Sequence, residues 1–176
     1  MNLSYGTLER RLQELDTAVA ELSLEVWFSS DDRALERLVN YIESATATFD
    51  ISMYALTHPV IGAAILRRYH SGVRVRIATD FDMARDYPEL ILEFIASGIP
   101  VYVRRTRVMM HEKFAVLDGR LILCGSANWS LAAFQGRAGN YENIYAFRNV
   151  FAARIHTVHF EKLVSEGNYL VEDSLL

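Results

Sequence analysis

Residues 111–128 read HEKFAVLDGRLILCGSAN. Two runs of apolar residues, 114–117 and 121–124, flank the pair Asp118 and Gly119, which is typical of a tight hairpin turn. The stretch therefore predicts two antiparallel strands joined by this turn. Such a hairpin carries its final Gly-Ser-Ala-Asn back to the end of the sheet at which the stretch begins.

The residues at the two ends of this hairpin are suited to handling a phosphate. His111 and Lys113 are two residues apart, so on an extended strand both side chains point to the same face. An imidazole would then lie beside a fixed positive charge, with the hydroxyl of Ser126 and the amide of Asn128 close by. Phosphodiester cleavage needs a nucleophile and positive or N–H donors around the phosphoryl oxygens.

The spacing His-x-Lys-x4-Asp-x6-Gly-Ser-x-Asn resembles the signature motif of the phospholipase D superfamily. The matching residues are His111, Lys113, Asp118, Gly125, Ser126 and Asn128. The resemblance covers roughly residues 25–167, and the motif occurs once. The chain is therefore similar to the short, single-motif branch of the family, which includes bacterial endonucleases and a mitochondrial cardiolipin hydrolase.

The resemblance implies a metal-independent phosphodiesterase that uses no cofactor. His111 would attack phosphorus and form a phosphohistidine, while Lys113 and Asn128 hold the phosphoryl oxygens and Ser126 adds a hydroxyl contact. One copy of the motif supplies one histidine, and a second must protonate the leaving group. We therefore expect a twofold homodimer whose subunits share one site.

Two further residues receive catalytic assignments from the same resemblance. Glu142 matches the downstream acidic residue that orients the histidine, by accepting a hydrogen bond from its second ring nitrogen. Asp118 is part of the motif, but its place in the predicted turn makes a structural role at least as plausible. His156 and His159 lie three apart on the last predicted helix, and we interpret them as helix-surface residues, because no cysteine or carboxylate cluster completes a metal site.

The substrate is less closely defined by the sequence. Arg104, Arg105 and Arg107 precede His111 and could follow a phosphate backbone, or form an ordinary solvated face. Trp129 could stack on bases, enter a lipid interface or pack locally. We favour nucleic acid as substrate. The alternatives are a lipid hydrolase that cleaves phosphatidyl headgroups or cardiolipin, and a non-catalytic nucleic-acid-binding or assembly subunit.

Alternating strand and helix patterns predict an α/β fold with a mixed, largely parallel sheet covered by helices on both faces. We predict that Thr57, followed by Pro59, caps one of these helices and that Asn149 caps the last one. We divide the chain into an N-terminal amphipathic helix, residues 1–24, and a catalytic domain, residues 25–176. The helix carries an apolar seam that suits packing against its own domain, self-association or a protein partner. The seam consists of Leu8, Leu12, Leu15, Val19 and Leu22.

Composition sets broad limits on the function. The net charge is −4, but residues 1–50 contain ten acids and four bases, whereas residues 51–176 contain twelve acids and fourteen bases. The predicted catalytic part is therefore the basic part. The single cysteine permits no intramolecular disulfide. No apolar stretch reaches the roughly 20 residues of a transmembrane helix, and no signal peptide is evident, so we expect a cytoplasmic protein.

Overall fold

A computed structural model describes residues 5–20, 23–104, 108–166 and 168–169. These residues include eight strands, six α-helices and two short 3-10 helices, Leu131–Ala133 and Gly136–Ala138. In chain order the elements are α1 (Tyr5–Ala20), β1 (Leu24–Phe28), α2 (Ala34–Glu43), β2 (Thr48–Met53), α3 (Pro59–His70), β3 (Arg74–Asp80), α4 (Phe81–Asp86), α5 (Glu89–Ala96), β4 (Val101–Arg104), β5 (Lys113–Leu117), β6 (Leu121–Gly125), β7 (Asn143–Arg148), α6 (Val150–Glu166) and β8 (Asn168–Tyr169).

The strands form one mixed sheet in the order β1-β7-β6-β5-β2-β3-β4-β8. The mixed sheet is confirmed, but "largely parallel" does not describe its pairings, because only β2–β3 and β3–β4 are parallel. The other five pairs are antiparallel. Helical crossovers join β2, β3 and β4, whereas β5 and β6 form a hairpin, and a hairpin requires antiparallel neighbours.

The hairpin turn follows the prediction. Asp118 and Gly119 have φ values of 52° and 62°, and the amide of Arg120 donates to the carbonyl of Leu117 at 3.1 Å. Positive φ at both central residues is the turn geometry whose twist matches the flanking strands. The hairpin returns β6 to the end of the sheet where β5 begins.

Helices cover both faces of the sheet, as predicted. On one face α2, α3 and α5 bury Leu38, Ile65 and Phe94 against the strands. On the other face α6 buries Phe160 and Leu163. The sheet residues that pack beneath α6 include Ala78, Phe114, Val116 and Ile122. Burial of side chains of this size contributes roughly 1.5–3 kcal/mol each.

One of the two predicted helix caps is confirmed. Asn149 Oδ1 accepts from the amide of Ala152 at 2.8 Å and caps α6. The prediction that Thr57 caps α3 is wrong, because the cap is His58, whose Nδ1 accepts from the amide of Val60 at 3.2 Å. The amides of Thr57 and His58 both donate to the carbonyl of Trp129, which keeps Thr57 outside the helix.

The helix α1 precedes the sheet, as predicted for the N-terminal segment. Leu8 and Leu12 of its apolar seam are 48% and 55% exposed. The side chains of Leu15 and Val19, and all of Leu22, lie outside the described residues. The division at residue 24 and the role of the seam in association stay predictions. None of the helices in the described ranges is both long and apolar enough to cross a membrane.

Candidate active site

Four neighbouring strands meet at the candidate site. β2 and β6 end there, and β5 and β7 begin there, because Met53 pairs with Lys113 and Gly125 pairs with Ile144. His111 and Lys113 lie at the start of β5, Ser126 and Asn128 follow β6, and Glu142 precedes β7. The sheet thus brings these five predicted residues to one edge, with the ends of β3 and β4 beyond β2.

His111 and Lys113 form the centre of the site. His111 is exposed and Lys113 is half-buried. The Nζ of Lys113 donates to the carbonyl of His111 at 2.9 Å and lies 3.3 Å from each nitrogen of its ring. A solvent-accessible imidazole therefore stands beside a held ammonium, which is the arrangement that attack on an anionic phosphodiester requires.

Tyr54 is a site residue that the sequence analysis missed. Its ring centroid lies 4.6 Å from that of His111, and the Nζ of Lys113 lies 5.2 Å from the centroid of the same ring. Tyr54 directly follows β2, whose last residue pairs with Lys113. The antiparallel pairing of β2 with β5 was the missing signal, since a parallel arrangement would have placed Tyr54 elsewhere.

Ser126 and Glu142 form a pair at the start of β7. The hydroxyl of Ser126 donates to Glu142 Oε2 at 2.5 Å and accepts from the amide of Asn143 at 3.0 Å. Gly125 makes this approach possible, because its φ is +150° and an added Cβ would lie 2.1 Å from the carbonyl oxygen of Asn143. Only glycine fits there, so the glycine of the motif positions the serine.

The carboxylate of Glu142 was predicted to accept from the ring of His111. Within the described part of the chain, the hydrogen bonds to it come instead from Ser126 and, at 3.5 Å, from Asn140. Ser29 holds this segment by donating to the carbonyl of Asn140 at 2.7 Å and accepting from the amide of Glu142 at 2.9 Å. Glu142 is therefore fixed at the site, and its orientation of His111 stays a prediction.

The charge of Lys113 depends on two opposing influences. Burial lowers its pKa below the usual value, and the negative charge of Glu142 opposes that shift by raising it.

Asn128 is half-buried, and its Oδ1 has no hydrogen-bond partner among the described residues. An unpaired buried polar atom is uncommon in proteins and is found at functional sites. The Nζ of Lys113 and the side-chain N–H groups of Asn128, but not its Oδ1, therefore remain candidates for donating to phosphoryl oxygens.

Asp118 lies at the other end of β5 from Lys113, about 16 Å away along the strand. Its carboxylate accepts from the amides of Thr46, Ala47 and Thr48 at 2.7–3.2 Å, and from the hydroxyl of Thr46 at 2.8 Å. These bonds join the β5–β6 turn to the start of β2. Of the two roles that the sequence left open, the contacts favour the structural one over the catalytic one.

The predicted substrate-binding residues are corrected in part. The side chain of Trp129 is only 3% exposed and packs against Phe49 with ring centroids 6.2 Å apart, so it belongs to the core and offers no stacking surface. Arg104 ends β4 at the site edge of the sheet, and its backbone alone is described. Arg105 and Arg107 lie outside the described residues.

The two histidines of α6 contact a backbone carbonyl and a carboxylate. His156 Nδ1 lies 2.8 Å from the carbonyl oxygen of Ala152, and His159 Nε2 lies 2.6 Å from Glu112 Oε1. Across the described ranges no group of three or more His, Cys, Asp or Glu side chains is arranged to hold a metal ion. Metal independence of the reaction stays a prediction.

Comparison with known proteins supports the family resemblance that the motif indicated. A family model described as "Cardiolipin synthase, PLD-like domain" matches residues 38–164. A mitochondrial cardiolipin hydrolase of Chlamydomonas reinhardtii is 36% identical over 136 residues, which are 77% of this chain and 60% of that protein. The human mitochondrial cardiolipin hydrolase is 33% identical over 138 residues, which are 78% of this chain and 53% of that protein. The chain thus spans between about half and three-fifths of these relatives.

Solved structures share the fold. The crystal structure of Nuc, a phospholipase D family member from Salmonella typhimurium, has a TM-score of 0.79 and 25% identity, and covers 85% of this chain and 99% of that chain. NucT from Helicobacter pylori has a TM-score of 0.75 at 22% identity, over 85% of this chain and 100% of that chain. The family model, the relatives and the geometry agree: the chain belongs to the phospholipase D-like domain family.

Proposed function

We propose that this protein is a phosphodiesterase that cleaves nucleic acid through a phosphohistidine at His111. The observation that carries the proposal is the exposed imidazole of His111, with the Nζ of Lys113 3.3 Å from both ring nitrogens. An ammonium at this place offsets the negative charge of an approaching phosphodiester, and a neutral ring nitrogen can then reach phosphorus.

The reaction balances in two displacements. In the first, the ring nitrogen of His111 donates its electron pair to phosphorus, a P–N bond forms, the P–O bond to the leaving group breaks, and a second imidazole gives a proton to the departing oxygen. In the second, that imidazole takes a proton from water, the water oxygen bonds to phosphorus, and the P–N bond breaks. Lys113 and Asn128 hold the other phosphoryl oxygens in both steps.

The second imidazole is proposed to be His111 of another copy of the chain. The remaining histidines do not take this part. His58 is buried as the cap of α3, His156 and His159 contact Ala152 and Glu112, and His70 ends α3 at the opposite edge of the sheet. A twofold axis through the site edge supplies the missing group without any additional residue.

Nucleic acid is favoured as substrate by the excess of bases in residues 51–176 and by Arg104, which ends β4 at the site edge and is followed in sequence by Arg105 and Arg107. A repeated anionic backbone binds such a cluster.

A lipid phosphodiester is the second candidate. Three exposed apolar residues lie beside the motif: Val108 and Met109 precede His111 with 65% and 57% exposure, and Tyr141 precedes Glu142 with 89% exposure. Apolar side chains around a phosphate site suit an amphiphilic substrate. The curated relatives are named as mitochondrial cardiolipin hydrolases. The cytoplasmic location consequently stays a prediction.

The test is hydrolysis in excess EDTA of single-stranded DNA, RNA, vesicles that contain cardiolipin, and bis(p-nitrophenyl) phosphate. We expect turnover of nucleic acid and of the small diester, with a covalent phosphoryl-histidine recovered after rapid quenching at alkaline pH. Turnover of the vesicles alone identifies the lipid candidate. Binding of nucleic acid with no turnover of any substrate contradicts the proposal and identifies a non-catalytic subunit.

A further inference from the structure

Glu112 lies between the two central site residues in sequence, but its side chain faces the other side of the sheet. Its Oε2 accepts from the hydroxyl of Ser52, a fully buried residue of β2, at 3.1 Å. Its Oε1 lies 2.6 Å from Nε2 of His159 on α6. An ionised carboxylate only accepts hydrogen bonds, so Nε2 of His159 carries the hydrogen. Glu112 therefore joins the segment ahead of β5 to the strand and helix behind the site.

The backbone of Glu112 is coupled to the site itself. Its carbonyl accepts from the amide of Tyr54 at 2.9 Å. The ring of Tyr54 is the one that contacts His111 and lies beneath the Nζ of Lys113. A displacement of Glu112 therefore moves His111 and Lys113 directly, as its chain neighbours, and moves Tyr54 through this hydrogen bond.

We propose that the Glu112–His159 pair, together with Ser52, positions the imidazole of His111 and the ammonium of Lys113 for attack on phosphorus. This inference rests on the proposed function of that site. Neither Glu112 nor His159 touches the reacting atoms, so both are positioning residues. Well-placed reacting groups supply a large part of catalysis, and a misplacement of about 1 Å costs roughly a hundredfold in rate.

The structure contains a matched control for the attachment of α6 to the sheet. Arg76 on β3 donates to Glu161 of α6 at 2.7 Å and to the buried Asp50 of β2 at 2.8 Å. This ion pair joins α6 to the middle of β2 and β3, and Asp50 pairs in register with Arg76. Glu161→Gln therefore weakens a contact of α6 without altering any group bonded to Glu112.

The first experiment compares the kinetics of His159→Gln, His159→Ala and Glu161→Gln with bis(p-nitrophenyl) phosphate. We expect kcat of His159→Ala to fall about ten- to hundredfold with KM nearly unchanged, because positioning affects the reacting geometry more than substrate binding. His159→Gln retains an N–H donor for Glu112 and should recover much of the rate. Glu161→Gln should leave both constants near those of the wild type.

The second experiment measures hydrogen exchange at the amide of Tyr54, which does not depend on activity. His159→Ala should increase its exchange rate, since the accepting carbonyl of Glu112 loses its anchor, and Glu161→Gln should not. If the wild type has no turnover but this exchange difference appears, the proposed function fails while the positioning contact stands. Equal exchange in both variants overturns the positioning contact.

A charge exchange completes the test. Glu112→His combined with His159→Glu restores an imidazole–carboxylate pair with its members interchanged, and it should recover kcat relative to Glu112→His alone. Two kinetic results also overturn the inference. One is a kcat of His159→Ala within about twofold of the wild type. The other is an equal loss of kcat in Glu161→Gln, which would show that α6 attachment in general is responsible.

Discussion

The two ends of β5 carry residues of the same motif in opposite physical conditions. At the start of the strand His111 is exposed, and Lys113 approaches its ring and carbonyl. At the far end the carboxylate of Asp118 accepts hydrogen bonds from three successive backbone amides and one hydroxyl. One end leaves strong polar groups accessible, and the other satisfies its polar group within the chain.

This difference indicates that the motif combines residues for the reaction, at the start of β5, with a residue that stabilises the fold, Asp118 at its far end. A buried or bonded carboxylate stabilises the fold because its acceptor sites are filled. An accessible imidazole adds little to stability and is available to react. We therefore expect substitutions at the start of β5 to change turnover with small effects on stability, and substitutions at Asp118 to do the reverse.

The largest expected effect is that of His111→Ala. Removal of the nucleophile should lower kcat by at least about 10⁴-fold. The free energy of unfolding should change by less than about 0.5 kcal/mol, because the side chain is exposed. Stopped assays and urea unfolding of the same sample check both. The matched control is His70→Ala, an exposed histidine at the end of α3, which should retain wild-type turnover.

Lys113→Met comes next in expected size. Met keeps the length and apolar character of the side chain but removes the positive charge, so kcat should fall about 10²–10³-fold while the protein stays folded. Steady-state kinetics and circular dichroism check this. A lower free energy of unfolding, with a normal kcat in the protein that is folded, would give Lys113 the structural role that is predicted for Asp118.

Asp118→Ala should reverse the pattern. Loss of the carboxylate leaves the amides of Thr46, Ala47 and Thr48 without their acceptor and should lower the free energy of unfolding by about 1–3 kcal/mol. At a temperature where the variant is folded, kcat should remain within about threefold of the wild type. A loss of kcat comparable to that of Lys113→Met, in folded protein, would contradict the structural role.

The smallest expected effect is the dependence on acid pH of the stability that the Asp118 carboxylate contributes. Burial raises the pKa of Asp118, but hydrogen bonds from Thr48, Ala47 and Thr46 together outweigh it and lower the pKa. A lowered pKa in the folded state stabilises the fold above the unfolded value of about 3.9 and loses that stabilisation as the pH falls through the folded value. The stability difference between wild type and Asp118→Asn should therefore shrink below about pH 4. A difference that stays constant in acid would show that the charge is not involved.

Local sequence signals predicted the hairpin, the cap at Asn149 and the meeting of His111, Lys113, Ser126 and Asn128. These features depend on residues that are close in sequence, or on the period of two along a strand. The same signals missed Tyr54, because its contact with His111 depends on the antiparallel pairing of β2 with β5. The pairing of distant strands depends on the packing of the whole sheet, so the sequence of either strand alone does not predict it.

Trp129 illustrates the same limit in the other direction. Its place one residue after Asn128 suggested a surface for stacking on substrate. In the structure its carbonyl accepts from the amides of Thr57 and His58, which draws this segment onto the end of β2 and buries the ring against Phe49. The position of Trp129 in the sequence therefore correctly indicated that it lies next to the site, but it did not indicate that the ring points into the core.

The most direct test of a shared site is subunit mixing. Wild type and His111→Ala are combined in varied proportions and unfolded and refolded together, and the hydrolysis of bis(p-nitrophenyl) phosphate is measured after native mass spectrometry has confirmed mixed dimers. If each reaction uses His111 from two copies, activity follows the square of the wild-type fraction and is about one quarter at equal amounts. Activity that falls in direct proportion, to about one half, would contradict the shared site.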